Sequence, residues 1–424
     1  MSLILSSQKT ENSRPNAIPL LMGLAESEME ESGCTKNDRL DDCPLIYRKF
    51  AQAGFRTSSG HDASQFWHLE WEKRGFKVPP TDYYLRAMAR VSDGGIANDY
   101  RGCCPLCWGP QLTLQSLVDY MKAMAVTMGR YKRYIQMTWS ISLTHEDILY
   151  GSLGERVVLD YLKWMREEGY LNQTIFVFMS DHGAWTGGIR QTPQGKIESN
   201  MPFLYLVVPE WFRRKYPLAM ANLRLNSHRL TTHFDTHETF LDILDLTRIE
   251  GGSLRERMNR LRAADRNNSV PRGISLFLPI PKSRTCEMAG IDKPWCSCDV
   301  RKPIIPASRA TLGAEYAVSY INNFISNQPE GRMCSNLTLQ AIKAASVLLE
   351  GVEVADYQPK SSDIYEIEFE TSPANATFEA VVMWKNGTRE WSISGGISRT
   401  NPYGKQSHCV RNSRELKKYC HCVV

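Results

Sequence analysis

The 424-residue sequence has no long apolar run, and no stretch approaches the ~20 residues that a membrane-spanning helix requires. It also lacks a dominant charge. Its 51 basic and 46 acidic residues leave a formal net charge of +5, too evenly spread for a dedicated nucleic-acid binder. The one basic run, Arg213-Arg214-Lys215, reads as a solvated face. No glycine-rich phosphate loop, Gly-x-Ser-x-Gly elbow or dinucleotide-binding fingerprint occurs, which removes common routes to nucleotide and serine-hydrolase chemistry. Internal repeats and low-complexity tracts are missing too, which excludes solenoid architectures. The opening residues, Met1-Ser-Leu-Ile-Leu-Ser-Ser-Gln-Lys9, offer neither the basic start nor the apolar core of a signal peptide.

Cysteine, by contrast, is plentiful. Twelve occur, several in tight groups: Cys103, Cys104 and Cys107; Cys286, Cys296 and Cys298; Cys409, Cys420 and Cys422. These groups lack the paired CxxC…CxxC spacing of zinc ribbons, so disulfides are expected rather than structural zinc. Five glycosylation sequons begin at Asn172, Asn267, Asn336, Asn375 and Asn386. Together with the cysteines they point to an extracellular or secretory-pathway protein. That conflicts with the missing entry signal, and the expectation is that the chain lacks its natural start.

The most informative run is Thr174-Ile-Phe-Val-Phe-Met-Ser-Asp-His-Gly183. A greasy stretch, Ile175 to Met179, predicts a buried strand that turns at Gly183. Asp181 and His182 then sit side by side at the carboxyl end of that strand, where ligands gather in open α/β sheets. An ionised carboxylate beside a neutral imidazole suits a divalent metal, Zn or Mn. The competing reading is a plain turn in which Asp181 caps the next segment of chain. Beyond the turn, a polar loop carries Arg190 and Lys196, which could neutralise an anionic substrate. A second apolar strand, Phe203 to Val208, comes next.

The order of these segments resembles the alkaline phosphatase/sulfatase superfamily. Further runs extend the likeness: Arg-Pro-Asn-Ala-Ile-Pro-Leu-Leu-Met-Gly at 14–23, Pro-Thr-Asp-Tyr-Tyr-Leu-Arg at 80–86, and Leu-Thr-His-Glu-Asp at 143–147. So do Trp-Phe-Arg-Arg-Lys-Tyr-Pro at 211–217 and Leu-Thr-Thr-His-Phe-Asp-Thr-His-Glu-Thr at 230–239. Together they resemble the sulfatase-like family called domain of unknown function 229, over nearly the whole chain.

The resemblance implies a metal-dependent phosphate or sulfate ester hydrolase with a metal-activated hydroxyl nucleophile. Asp181 and His182 would be metal ligands, His145 and His237 would contact substrate or metal, and Arg190 and Lys196 would bind substrate. His233 stands where relatives often have proline and is a poor candidate. Asp235 is expected to cap a helix, with Thr239 packing inward. In relatives a first strand ends in an Asp-Ser-x-Ser-type turn bearing a metal Asp and the nucleophile. Here the similarity starts near Glu11, so that strand and nucleophile are expected to be missing, as is the Cys-x-Pro-x-Arg pattern of true sulfatases. The chain is then expected to be inactive as given. The alternatives are a non-catalytic extracellular binding protein that keeps the fold, or a truncated product. The implied ligand is a small anionic ester or glycan-type substrate, with no nucleic acid partner.

Periodicity completes the outline. Helices are predicted at Pro19–Met29, Pro44–Ala53, within 110–136, at Leu153–Glu168 and at 236–246, with strands at Met137–Leu143 and 174–179. The expected fold is α/β: an alkaline phosphatase-like three-layer sandwich on a largely parallel sheet with its first strand missing. Residues 1–299 would form this unit and 300–424 a smaller α+β unit closed by disulfides. In the latter, 308–350 reads as helical. Period-two alternation between Asp363 and Ser394, with Asn386-Gly387 as a turn, predicts hairpin strands.

Overall fold

A computed structural model describes residues 2–7, 12–35, 39–64, 69, 75–101, 104–129, 132–145, 147–184, 189, 192–303, 308–349, 362–385, 387–401, 405–410 and 413–423. The backbone divides into two units, Met1–Gly290 and Ile291–Val424.

The first unit is mixed α/β. Strand β1 (Ser2–Ser7) leads to helices α1 (Ser13–Met22), α2 (Glu26–Glu31) and α3 (Ile46–Gln52). Next are strands β2 (Arg56–His61) and β3 (Tyr83–Tyr84), helix α4 (Arg86–Gly95) and a small meander of β4 (Ala97–Arg101), β5 (Cys104–Trp108) and β6 (Gln111–Leu112). Helix α5 (Thr113–Met128), β7 (Tyr134–Trp139), α6 (Gly151–Glu167), β8 (Phe176–Met179), α7 (Pro193–Asn200) and β9 (Phe203–Val207) come after it. Helices α8 (Glu210–Lys215) and α9 (Pro217–Asn226), β10 (Thr231–Thr232), α10 (His233–Leu244) and α11 (Gly251–Arg266) complete the unit.

Two sheets carry the centre. One runs β3-β2-β7 and is wholly parallel. The other runs β10-β1-β9-β8 and is mixed: β1 is parallel to β10, while β9 is antiparallel to both β1 and β8. This departs from the largely parallel sheet expected. The reason lies in the connection after β8. Helix α7 ends beside Gly183, whose N–H donates to the Ser199 carbonyl at 2.9 Å. The chain therefore enters β9 at the end where it left β8, without crossing the sheet. A second departure is β1 itself, an N-terminal strand that forms where none was expected.

Both faces of this framework are covered, as buried strands require. Leu204 and Leu206 of β9 pack with Phe212, Leu223, Leu276 and Phe277 on one side. The backbone around Phe277 is buried, and amide side chains satisfy it. Asn222 Nδ2 donates to Phe277 O, and Asn226 Nδ2 donates to Leu276 O and Leu278 O. The same face also packs, through Val177 and Met179 of β8, on a cluster of α1, α3 and α10 that includes Ile18, Leu21, Ile46, Tyr47 and Phe240, while on the other side Phe176 of β8 packs with Val118, Tyr161 and Met165 of α5 and α6. Strand β8 is less buried than its sequence suggests: all its residues remain partly accessible, and Phe178 is 38% exposed.

The second unit is built on a six-stranded antiparallel sheet. Its strands are β11 (Val300–Pro303), β12 (Thr338–Leu349), β13 (Ser362–Ser372), β14 (Ala376–Lys385), β15 (Glu390–Ile393) and β16 (Ser398–Arg399). Helix α12 (Ser308–Ser326) lays Ala310, Ala314, Ala317 and Ile321 against Ile367, Phe369, Phe378 and Val382. A short helix, α13 (Arg414–Tyr419), closes the unit. The helix expected across 308–350 is thus helix only to Ser326; the rest leads into strand β12. The Ala- and Leu-rich composition there favours helix, but continuous pairing with β13 overrides that preference.

Disulfides form as expected. Cys34 pairs with Cys43 in the first unit, and Cys334–Cys420 and Cys409–Cys422 lie in the second. Cys104, Cys286 and Cys296 are also disulfide-bonded, while Cys107 and Cys298 are free thiols. Cys409, Cys420 and Cys422 cluster closely enough to suggest a metal, but all three sulfurs are consumed by disulfides.

Candidate metal centre

The site is assembled around the end of β8. Ser180 extends the strand by one bond, its N–H donating to Phe203 O at 3.1 Å. Asp181 and His182 then bend away, and Gly183 meets the end of α7. A Cβ on Gly183 would fall 2.3 Å from Glu198 O and 2.6 Å from Ser199 Cα, so only glycine lets helix and turn meet. Thr192 starts α7 by accepting the Gly195 N–H at 3.0 Å. Ser199 finishes it, its hydroxyl donating to Ala184 O at 2.7 Å. The Asp-His turn is thus clamped between a strand and a helix.

The hydrogen bonds of His182 fix its chemistry. Nδ1 lies 2.7 Å from Gly183 O, and a carbonyl only accepts, so Nδ1 carries the proton. In the neutral ring Nε2 then presents its lone pair. Asp181 Oδ2 is 3.4 Å from Nε2, and both side chains are largely buried. Ser13 Oγ, in the first turn of α1, is 3.1 Å from the same nitrogen. This is not a catalytic triad, because a triad aspartate orients the ring through the other nitrogen. The second ring nitrogen is held by a backbone carbonyl, the kind of partner that orients metal-ligating imidazoles, and Nε2 lies beside a carboxylate.

His233 stands in the wall of this site. Thr232 and Asp235 form a capping box at the start of α10, so Thr232, not Asp235, is the cap. Asp235 instead accepts the Thr232 and Ile274 N–H groups and is paired inside the protein with Arg284. The cap holds His233 with its Nε2 donating to Ser180 O at 3.5 Å. Burial pushes the His233 pKa down to about 4, against the opposing pull of the Asp181 charge. Its Nδ1 is buried with no hydrogen-bond partner among the described residues. The donor atoms of Asp181, His182 and His233 do not all fall within 4.8 Å of one another. Asp181 and His182 are therefore the convergent pair, and His233 their buried neutral neighbour.

The remaining candidates are dispersed. His237, one turn further along α10, donates from Nδ1 to Leu20 O at 3.0 Å and packs on Gly23, whose φ of +70° ends α1. It ties α10 to α1 instead of reaching the Asp181 turn. His145 is exposed in the turn after β7. Lys196 is half-buried on α7, and Arg190 lies outside the described residues. Thr239 is buried, as expected, and bonds Asp235 O at 2.6 Å. Two residues of the site escape sequence reading. Ser13 gives no motif, and His233 departs from the family's pattern, although a histidine directly after a Thr-Thr cap is a usable signal.

The model of the family described as "Protein of unknown function (DUF229)" matches residues 8–343, well over half of the chain. The chain belongs to the DUF229 family. The match includes Ser13, Asp181, His182 and His233, so the whole site lies within the DUF229 region. No curated protein matches the chain.

Proposed function

We propose that this DUF229 chain is a secretory-pathway, sulfatase-like protein that uses Asp181 and His182 to hold a divalent metal, Zn or Mn, for a small phosphate or sulfate ester. One observation carries the reading. Gly183 O holds the proton on His182 Nδ1, so in the neutral ring the Nε2 lone pair faces the Asp181 carboxylate at 3.4 Å, in a clamp that leaves no room for a side chain at Gly183. The donor set, one carboxylate and one imidazole, suits a borderline divalent cation.

When bound, such a metal neutralises oxyanion charge and depresses the pKa of a coordinated hydroxyl. The chain's own residues do the rest. Asp181 and His182 bind, and Gly183 O orients the imidazole. His233 stays uncharged at neutral pH and so does not repel a cation. Lys196 and Arg190 supply positive charge for the ester's anionic group. Ser13 brings a hydroxyl to the same nitrogen. Turnover in the superfamily pattern needs a further carboxylate ligand and an attacking hydroxyl in an Asp-Ser-x-Ser-type turn. We therefore assign binding of the anionic ester, and not hydrolysis, to these residues.

The secretory assignment is supported by the disulfides and by the exposure of Asn172, Asn267, Asn336 and Asn375, which head four of the five sequons; Asn386 lies outside the described residues. No helix among the described residues is long and apolar enough to cross a membrane.

Calorimetric titration tests the reading. Zn²⁺ is expected to bind the parent chain, and sulfate or phosphate to bind only once Zn²⁺ is present. Asp181→Ala should weaken the metal by at least about tenfold. Unchanged Zn²⁺ affinity in Asp181→Ala would sink the assignment, and release of p-nitrophenol from p-nitrophenyl phosphate or sulfate would replace binding with hydrolysis.

A further inference from the structure

Cys420 and Cys422 belong to a Cys-His-Cys run that leaves α13 in extended conformation. Extended backbone points alternate side chains to one face, so the two cysteines face the same way. Opposite them is Cys334. Ser335 N–H donates to His421 O at 2.7 Å and Val423 N–H donates to Met333 O at 2.9 Å, and these bonds bracket an antiparallel bridge between Cys334 and Cys422. A pair bracketed in this way makes no ladder bond of its own, and its Cα atoms approach to about 4.5 Å. That is within the span of a disulfide. Yet Cys334 is bonded to Cys420, at a Cα separation of 5.1 Å, and Cys422 to Cys409, at 5.9 Å.

The second cross-pair is also close. Cys409 Sγ lies 3.8 Å from Cys420 Sγ, and the sulfurs of Cys409, Cys420 and Cys422 all lie within 4.8 Å of one another. The geometry therefore admits two pairings: Cys334–Cys420 with Cys409–Cys422, or Cys334–Cys422 with Cys409–Cys420. Chain entropy hardly separates them. The short loop changes from a separation of 13 to 11, and the long one grows only by the step from Cys420 to Cys422, changes that loop closure barely registers. Cys334 and Cys409 are partly accessible, whereas Cys420 and Cys422 are buried.

We propose that these four cysteines form a disulfide-exchange centre, re-paired by a small anionic thiol that attacks Cys409. The incoming thiolate bonds to Cys409 Sγ and expels Cys422 as a thiolate. The Cys409 N–H, 3.0 Å from Cys422 Sγ, stabilises that leaving charge. Cys422 then attacks Cys334 and expels Cys420, and Cys420 attacks Cys409 and expels the small thiol. Each step forms one S–S bond and breaks one, so nothing is oxidised or reduced overall and the thiol is returned. Local charge favours an anionic attacker: from Lys405 to the last residue the chain has five Lys and Arg against one acid, Glu415. Re-pairing moves the covalent anchor of α13. In the present pairing Cys420 ties its end to the chain ahead of β12; in the other, α13 lies within a loop closed on Cys409. Tyr419, next to Cys420 and packed on Phe324 and Phe378, is the core residue that the change reaches.

Glutathione is the probe, applied to the intact chain carrying Cys107→Ser and Cys298→Ser, which removes the free thiols among the described residues. After acid quenching and alkylation, mass-spectrometric fragmentation between Cys420 and Cys422 with the bridges intact assigns the partners. The Cys334–Cys422 form should reach at least about a tenth of the molecules, since loop entropy does not oppose it. Retention of the original pairing alone, or opened bridges without the Cys334–Cys422 form, would overturn the exchange centre. Cysteamine, a cationic thiol, should re-pair the bridges more slowly per thiolate; an equal rate would overturn the choice of an anionic attacker. Cys409→Ala/Cys420→Ala in the same background leaves Cys334 and Cys422, which should close a disulfide and present no alkylable thiol after denaturation. Two free thiols in that variant, folded to the parent's circular dichroism, would also overturn the proposal; if it misfolds, the glutathione mapping decides alone.

Discussion

Gly183 O decides the tautomer of His182, and that one bond separates a metal-binding reading from a hydrolytic triad. His233 and His237 show a second residue-scale effect. Both are buried, and burial pushes each pKa down to about 4. An unfolded imidazole binds its proton near 6.5, so between pH 6.5 and 4 the unfolded chain holds more protons. Stability therefore falls as the pH drops through that window, by about 1.4 kcal/mol per unit for each imidazole. Asp62 acts in the opposite sense. Burial raises its pKa to about 6, despite bonds from Ile141, Ser140 and Ser142, so its contribution is lost as pH rises through 6. Glu238, also raised by burial, adds to that side. The difference between variants isolates the imidazole. His237→Asn keeps a donor toward Leu20 O and removes the proton. Denaturant titrations at pH 5 and 6 should show its pH slope lower than the parent's by about 1.4 kcal/mol per unit; equal slopes would contradict the burial account. Asp181 and His182 are legible in the sequence because strand, turn and ligand types coincide within ten residues. His233 is not, since its place beside them depends on a cap about fifty residues away.

At the scale of elements, α7 is the part on which the site depends. It closes on Gly183 backbone to backbone, so Gly183→Ala cannot be absorbed by a side-chain rotation. The variant should lose about 1–3 kcal/mol in denaturant unfolding and should bind Zn²⁺ more weakly, because α7 must retreat from the Asp-His turn. A variant with parental stability and Zn²⁺ affinity would show that the clamp is not needed. Several helices and strands of the first unit are legible from periodicity, including α5, α6, β8 and β9, whereas the helix expected at Pro19–Met29 is split between α1 and α2. Strand β12 is not: helix-forming residues there are held extended by a long ladder to β13. The direction of β9 is not legible either, because polarity in a sheet is set by the connection and not by the composition of the strand.

For the molecule as a whole, the cysteines give the sounder forecast. Disulfides are expected over zinc, and they form. In the second unit the two bridges differ in reach: Cys334–Cys420 spans 86 residues and Cys409–Cys422 spans 13. Loop-closure entropy assigns them about 4.6 and 3 kcal/mol. Replacing the Cys334–Cys420 pair with alanine should therefore lower the unfolding free energy of the second unit more than replacing the Cys409–Cys422 pair. The reverse order would mean that native-state packing, and not chain entropy, sets the cost. DUF229 membership rests on the match over residues 8–343, and within that span the Asp-His turn is the feature that most specifically suggests chemistry.

The central claim is that Asp181 and His182 bind a metal, with His233 beside them and His237 apart. Equilibrium dialysis against Zn²⁺, read by atomic emission for the parent chain, His182→Ala, His233→Ala and His237→Ala, tests it most directly. The account predicts one metal per parent chain, loss in His182→Ala, weakened binding in His233→Ala and parental binding in His237→Ala. Retention of the metal by His182→Ala, with loss in His237→Ala, would contradict it.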